Sequence, residues 1–225
     1  MSEINFDPVN LTQSLVKCAS VTPKDEGALT VVENHLNAIG CDCHSLTFSG
    51  NNSYEVKNLF ATIGNEGKHF AYAGHTDVVP VGNENSWKYS PFSAKIDEGK
   101  LYGRGSEDMK SSVACFISAA KRFVDKYENI PGKISFIITG DEERDSVNGT
   151  PRILEWASKQ NYKFDHCLVG EPTSKNEVGD KVKIGRRGSV SFFFQVKGIQ
   201  GHTANSHLAE NSSHHLVNLL NSILE

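Results

Sequence analysis

A chain of 225 residues with 38% hydrophobic content is long enough for one sizeable packed domain and a piece of a second. Its formal charge of −4 and pI near 6.1 give no reason to expect a nucleic-acid partner, and no apolar stretch approaches the ~20 residues of a membrane span. The amino terminus has neither a basic flank nor an apolar run, so no secretory signal is read there. Five cysteines, none in a C-x-x-C pair, fit free thiols in a reducing compartment, with the cytoplasm as the expected location.

Asp7 can cap a helix that starts at Pro8 and turns Leu11, Leu15 and Val16 to one side. A second helix carries Leu29, Val32, Leu36 and Ile39 at helical spacing, and Gly40 is its stop. Ser45 to Phe48, Asn58 to Ile63 and His69 to Ala73 read as strands between turn-rich segments. A long amphipathic helix is expected from near Asp108 to about Tyr127, with Val113, Phe116, Ile117, Ala120 and Val124 along one side. Ile134 to Thr139 reads as a strand covered on both faces, Thr150 to Lys159 as a helix, and Cys167 to Val169 as another buried strand. This alternation predicts an α/β domain with a mostly parallel sheet flanked by helices, over residues 1–180. Residues 181–225 read as part of a smaller α+β unit: a turn at Lys183 to Gly188, an aromatic strand from Ser189 to Lys197 packing Phe192 to Phe194 on a helix, and that helix from about Asn211. Alone, such a unit is too small to bury a core.

The chemistry is concentrated where strands end. Gly74-His75-Thr76-Asp77, Gly140-Asp141-Glu142-Glu143 and Gly170-Glu171-Pro172 each follow an apolar run, and Gly105-Ser106-Glu107-Asp108-Met109-Lys110 opens the long helix. One imidazole and several carboxylates at the strand ends of an open sheet are the inventory of a hydrolytic zinc centre. His75 and Asp77 share a face in an extended chain, so His75 can bind metal through one ring nitrogen while Asp77 fixes the other. Glu142 and Glu143 point to opposite sides of an extended segment, which lets one bind metal and leaves the other free as a base. Asp108 fits either a metal ligand or a helix cap. Glu171, charged and deep, needs a partner that a cation would supply. Cys41-Asp42-Cys43-His44 lacks the second Cys/His pair of a zinc finger and reads as an ordinary helix-to-strand connection.

The run Ala73-Gly74-His75-Thr76-Asp77-Val78-Val79-Pro80, then Trp87, Pro91-Phe92, Leu101-Tyr102-Gly103-Arg104-Gly105 and Asp108-Met109-Lys110, resembles the zinc aminoacylase and carboxypeptidase superfamily. Asp141-Glu142-Glu143, Asn148-Gly149-Thr150, Val169-Gly170-Glu171-Pro172-Thr173-Ser174, Gly185-Arg186-Arg187-Gly188-Ser189 and Gly201-His202 continue the likeness, which is nearest to the bacterial succinyl-diaminopimelate desuccinylases. The resemblance implies a zinc-exopeptidase-like catalytic domain with an inserted lid and dimerisation domain, and two zinc ions that cobalt can replace. His75 and Glu171 would hold one zinc, Glu143 the second, and Asp108 would bridge them. Glu142 would be the general base and Asp77 the orienter of His75. His202, from the partner subunit of a homodimer, would stabilise the oxyanion, and Arg186 and Ser189 would contact substrate carboxylates. Family members continue past the equivalent of Glu225 and bring a further metal-binding His, and they tend to carry Tyr-Pro where Asn205-Ser206 stands here. Three functions follow: cleavage of N-succinyl-LL-2,6-diaminopimelate in lysine and diaminopimelate biosynthesis; deacylation of acetylornithine-type substrates or dipeptide hydrolysis by the same chemistry; or a truncated, non-catalytic remnant binding one zinc through His75, Asp108 and Glu171.

Overall fold

The computed structural model describes residues 4–50, 53–127, 129–185, 188 and 190–224. Asp7 caps helix α1 (Pro8–Lys17) as its position suggests, its carboxylate accepting the N–H groups of Val9 and Asn10 at 3.0 and 2.9 Å. Leu11, Leu15 and Val16 are buried on one side of α1, as are Leu29, Val32, Leu36 and Ile39 on α2 (Ala28–Ile39). Gly40 closes α2 with φ of 95°, a left-handed conformation that a side chain would strain, and its N–H returns to the carbonyls of Leu36 and Asn37.

The chain continues through strands β1 (Asp42–Phe48), β2 (Val56–Ile63) and β3 (His69–His75), a small hairpin of β4 (Lys95–Asp97) and β5 (Lys100–Tyr102), helix α3 (Ser111–Lys126), strand β6 (Lys133–Thr139), helix α4 (Thr150–Lys159) and strand β7 (His166–Val169). Five strands form one sheet in the order β1-β2-β6-β3-β7. β6, β3 and β7 are mutually parallel neighbours, whereas β2 pairs antiparallel with both β1 and β6, so β2 runs against its companions. Period-two alternation divides the sheet between two cores. Leu59, Ala61, Tyr72, Phe136 and Ile138 pack beneath α1, α2 and α3. Phe60, Ala71 and Ile137 meet Ile153 and Ala157 of α4 on the other face. A central sheet with helices on both faces and mostly parallel strands is the α/β architecture that the pattern predicted.

The long helix begins at Ser111, close to the expected start near Asp108, after a kinked helical stretch over Ser106–Lys110. Two expectations fail locally. The strand expected to be buried at Cys167 to Val169 forms β7, but every residue of β7 is exposed. The helices pack over β2, β3 and β6 while β7 lies at the sheet's margin, paired on one side only. The aromatic strand expected from Ser189 to Lys197 is not formed by its described residues, and Phe192, Phe193 and Phe194 are exposed instead of packed on a helix. A strand requires a neighbour for its N–H and C=O groups, and among the described residues of 181–225 the pairing is a single bridge between Ile199 and Glu210, just beyond that segment.

By contact pattern the chain divides into two units, Met1–Asp180 and Lys181–Glu225. The second contains a 3-10 turn (Thr203–Leu208) and helix α5 (Ser212–Leu224), capped by Asn211, whose side chain accepts the Ser213 N–H at 2.9 Å. All five cysteines are free, and Cys41 is buried where α2 hands over to β1. No helix among the described residues is long and apolar enough to cross a membrane.

Candidate metal centre

The three adjacent parallel strands β6, β3 and β7 deliver their following residues to one rim of the sheet. His75 is the last residue of β3, Glu142 and Glu143 follow β6, and Glu171 follows β7. Carboxyl ends of parallel strands are where open α/β sheets keep their ligands. Asp108 joins them from a turn between Gly105 and α3, with φ −113° and ψ 99°, so it is not the cap of a helix. Around His75, which is 1% exposed, Nε2 lies 3.2 Å from Asp108 Oδ1, 3.5 Å from Glu171 Oε1 and 3.9 Å from Glu142 Oε2.

Asp77 acts differently from the expectation. The ring Nδ1 of His75 is oriented by the main-chain carbonyl of Asp77 at 2.9 Å, and the Asp77 carboxylate is 3.5 Å away. That carboxylate accepts the N–H of Glu142 at 3.1 and 3.2 Å and the N–H of Glu143 at 3.1 Å. Two successive amides can converge on one carboxylate only where the backbone bends, as in an anion-binding nest. Glu142 and Glu143 therefore do not splay to opposite sides of an extended segment; both side chains reach the His75 cluster. Asp141 supports the bend without joining the cluster: buried, it accepts the Tyr54 hydroxyl at 2.7 Å and the Asn148 N–H at 3.2 Å. Beside Asp108, Lys110 is fully buried and its Nζ donates to the carbonyls of Leu15 and Cys18 at the end of α1. Burial lowers the Lys110 pKa to about 8, and the carbonyl pair replaces the lost water.

The electrostatics of the rim call for a cation. Burial opposes charge on His75, but hydrogen bonding to Glu171 and the nearby Asp77 and Glu142 outweigh it and lift the ring to about 9. Burial, with Asp108 and Glu142 acting against the pull of His75, pushes Glu143 up to about 7. Asp108 and Glu142 are raised too, first by burial. The metal-free cluster thus holds protons against mutual repulsion, which a divalent ion relieves. Two donor sets have all their ligand atoms within 4.8 Å of one another, His75 with Asp108 and Glu143, and His75 with Glu142 and Glu171. One nitrogen and several carboxylate oxygens suit zinc.

Close packing fixes the floor. A methyl group on Gly170 would fall inside the contact radius of Tyr72 Oη and 2.5 Å from Ser112 Oγ, two hydroxyls bonded to each other at 2.9 Å. Gly170→Ala is expected to shift Glu171 and weaken divalent-metal binding by roughly 10-fold or more, and Tyr72→Phe in the same chain is expected to restore part of it. Zinc titration of the parent and the two variants checks this; unchanged affinity in Gly170→Ala would show that Glu171 adjusts freely.

Of the residues singled out in the sequence, the structure brings His75, Asp77, Asp108, Glu142, Glu143 and Glu171 together. Arg186 and Ser189 lie outside the described residues. His202 belongs to the second unit, where its Nδ1 accepts the Ala204 N–H at 3.1 Å. Sequence reasoning missed the bracing roles of Asp141 and Lys110, although a charge directly after a buried strand and a lysine in a segment entering an apolar helix were both visible signals.

Residues 71–225 match the profile of Peptidase family M20/M25/M40. Among solved structures, human carnosine dipeptidase 1 is 25% identical with a TM-score of 0.62, covering 72% of this chain and 37% of its own. The M20 family metallo-carboxypeptidase Sso-CP2 from Sulfolobus solfataricus is 24% identical with a TM-score of 0.60 over 73% of this chain and 37% of its own. The dipeptidase Dug1p from Saccharomyces cerevisiae is 19% identical with a TM-score of 0.56 over 73% of this chain and 40% of its own. The latter two establish the fold alone, and the chain spans about two fifths of the length of these solved chains. A profile match over most of the sequence, on a fold shared with a metallo-carboxypeptidase and two dipeptidases, leads to one kinship: the chain belongs to Peptidase family M20/M25/M40.

Proposed function

We propose that the protein is a zinc-dependent hydrolase of amide bonds in small N-acylated amino acids, with N-succinyl-LL-2,6-diaminopimelate as its first candidate substrate. The observation that carries the reaction class is the His75 cluster: two overlapping donor sets share one buried imidazole. His75, Asp108, Glu143 and Glu171 would hold the metal. A bound divalent cation supplies Lewis acidity, polarising the scissile carbonyl and lowering the pKa of water.

Glu142 is placed for proton transfer. Its side chain is 46% exposed, against 11% for Glu171, so it can meet both water and substrate. In the metal-free cluster its pKa is raised, first by burial, and its exposure is what suits it to exchange a proton with water and substrate. It takes the proton of the attacking water and delivers it to the departing amine nitrogen. Asp77 holds the Glu142 main chain while this happens. His202 of a second copy, donating to the developing oxyanion, and Arg186 and Ser189, meeting substrate carboxylates, complete the proposal on the motif resemblance alone.

The succinyl substrate is favoured by that same motif resemblance. Likeness to human carnosine dipeptidase 1 supports a second reading, hydrolysis of dipeptides by the same residues. The test is product release by the purified protein from N-succinyl-LL-2,6-diaminopimelate, an N-acetylated ornithine and a dipeptide panel, with added zinc and with chelator. Zinc-dependent succinate release supports the first reading, and cleavage confined to dipeptides the second. Failure of the zinc-loaded protein on every substrate would overturn both.

A further inference from the structure

We infer that Thr22 is a positioning residue for the proposed site, holding the Asp77 carboxylate on the side of Glu142 and Glu143. The inference rests on the reading that these two glutamates move protons and bind metal. Thr22 lies upstream of every motif that pointed to the site, in the segment Ser20 to Thr22 between α1 and α2. The fold lays this segment along the loop that leaves His75. Val21 and Val78 form a parallel bridge, Thr22 N–H donates to the Val78 carbonyl at 3.2 Å, Val78 N–H donates to the Ser20 carbonyl at 2.9 Å, and Ser20 Oγ donates to the Thr76 carbonyl at 2.6 Å. Thr22 Oγ1 is thereby fixed 2.6 Å from Asp77 Oδ2, the shortest bond that the carboxylate makes.

Two groups compete for the Asp77 carboxylate. On one side are the main-chain amides of Glu142 and Glu143, at 3.1 to 3.2 Å. On the other is His75 Nδ1, 3.5 Å from Oδ1. Asp77 is 1% exposed, so water does not arbitrate. A hydroxyl donating to a carboxylate at this distance is a strong, charge-assisted bond, and because Thr22 is anchored by its own backbone it sets the carboxylate's rotation. Without the hydroxyl, the carboxylate is free to turn toward the imidazole and release the amides. The bend that aims Glu142 and Glu143 then relaxes.

The test uses Thr22→Val, which keeps the shape and removes the hydroxyl, and Thr22→Ser, which restores it. Thr22→Val is expected to lower kcat on the protein's best substrate roughly 10- to 100-fold with KM unchanged. It should also weaken zinc binding over the same range and move the amide proton resonances of Glu142 and Glu143, while Thr22→Ser stays near the parent in all three. Titration with zinc alone and the amide resonances are read without turnover, so they test the inference even if no substrate is cleaved and the functional reading fails. Amide resonances unmoved in Thr22→Val, or moved with zinc affinity intact, would overturn it. So would a Thr22→Ser chain as impaired as Thr22→Val.

Discussion

Replacing His75 by alanine is expected to weaken zinc binding by roughly 100-fold or more, beyond the range that follows loss of an outer partner of a ligand. The reason is geometric: His75 belongs to both donor sets, so one truncation removes the nitrogen ligand from each. The same residue sets the pH dependence. In the metal-free protein His75 titrates at about 9 and Glu143 at about 7, so zinc must displace protons and its affinity should rise with pH through 7 and on toward 9. Stability follows with a definite sign. The His75 pKa is raised above its ordinary 6.5, so its contribution is complete below 6.5 and is lost as pH rises through about 9. Glu143, raised from 4.5, likewise favours the protonated fold and destabilises the ionised one as pH rises to about 7. Chelator-treated protein should therefore melt lower at pH 8.5 than at pH 6, and added zinc should stabilise it more at the higher pH. Thermal melts and competition with a chromophoric chelator, on parent and His75→Ala, measure both effects. Equal zinc affinity in the two chains would remove His75 from the centre.

Glu142→Gln is expected to reduce turnover by at least roughly 100-fold while zinc stays bound, because the change removes a proton acceptor and preserves size. The bend should survive it, since Glu142 is held to Asp77 by its main-chain N–H and not by its side chain. Glu143→Gln provides the contrast. Both side chains fall in a donor set, Glu143 with His75 and Asp108 and Glu142 with His75 and Glu171, but the proposed assignment makes Glu143 the ligand and Glu142 the base, so zinc affinity should fall along with activity in Glu143→Gln. Parallel titrations and rate measurements on the two variants separate base from ligand. Should Glu142→Gln lose zinc as readily as Glu143→Gln, Glu142 is a ligand and the proton must move by another group.

Much of the fold was legible from local chemistry. The Asp7 cap, the Pro8 start, the Gly40 stop and the bounds of α4 from Thr150 to Lys159 depend on neighbours close in sequence. The strand-end positions of His75, Glu142, Glu143 and Glu171 were readable because a polar cluster directly after an apolar run marks where a buried strand leaves the sheet. The exposure of β7 was not readable, since a short apolar run such as Cys167 to Val169 looks the same at a sheet's margin as at its centre, and strand order is decided by distant pairings. The aromatic run at Phe192 to Phe194 misled for a related reason: β-propensity describes fit to a neighbouring strand, and among the described residues of its unit that segment has none.

What the amino-acid order determined by itself was the set of chemical groups and their placement at strand ends, because a period of two or 3.6 residues is written locally. Tertiary structure alone decided how those groups are aimed. Asp108 leaves the helical path, Asp77 turns its carboxylate to the amides of Glu142 and Glu143, and Lys110 and Thr22 tie the rim to the residues that end and follow α1. Each of those bonds joins residues dozens of positions apart, and hydrogen-bond partners at that separation are chosen by which buried donors and acceptors the packed sheet brings within reach.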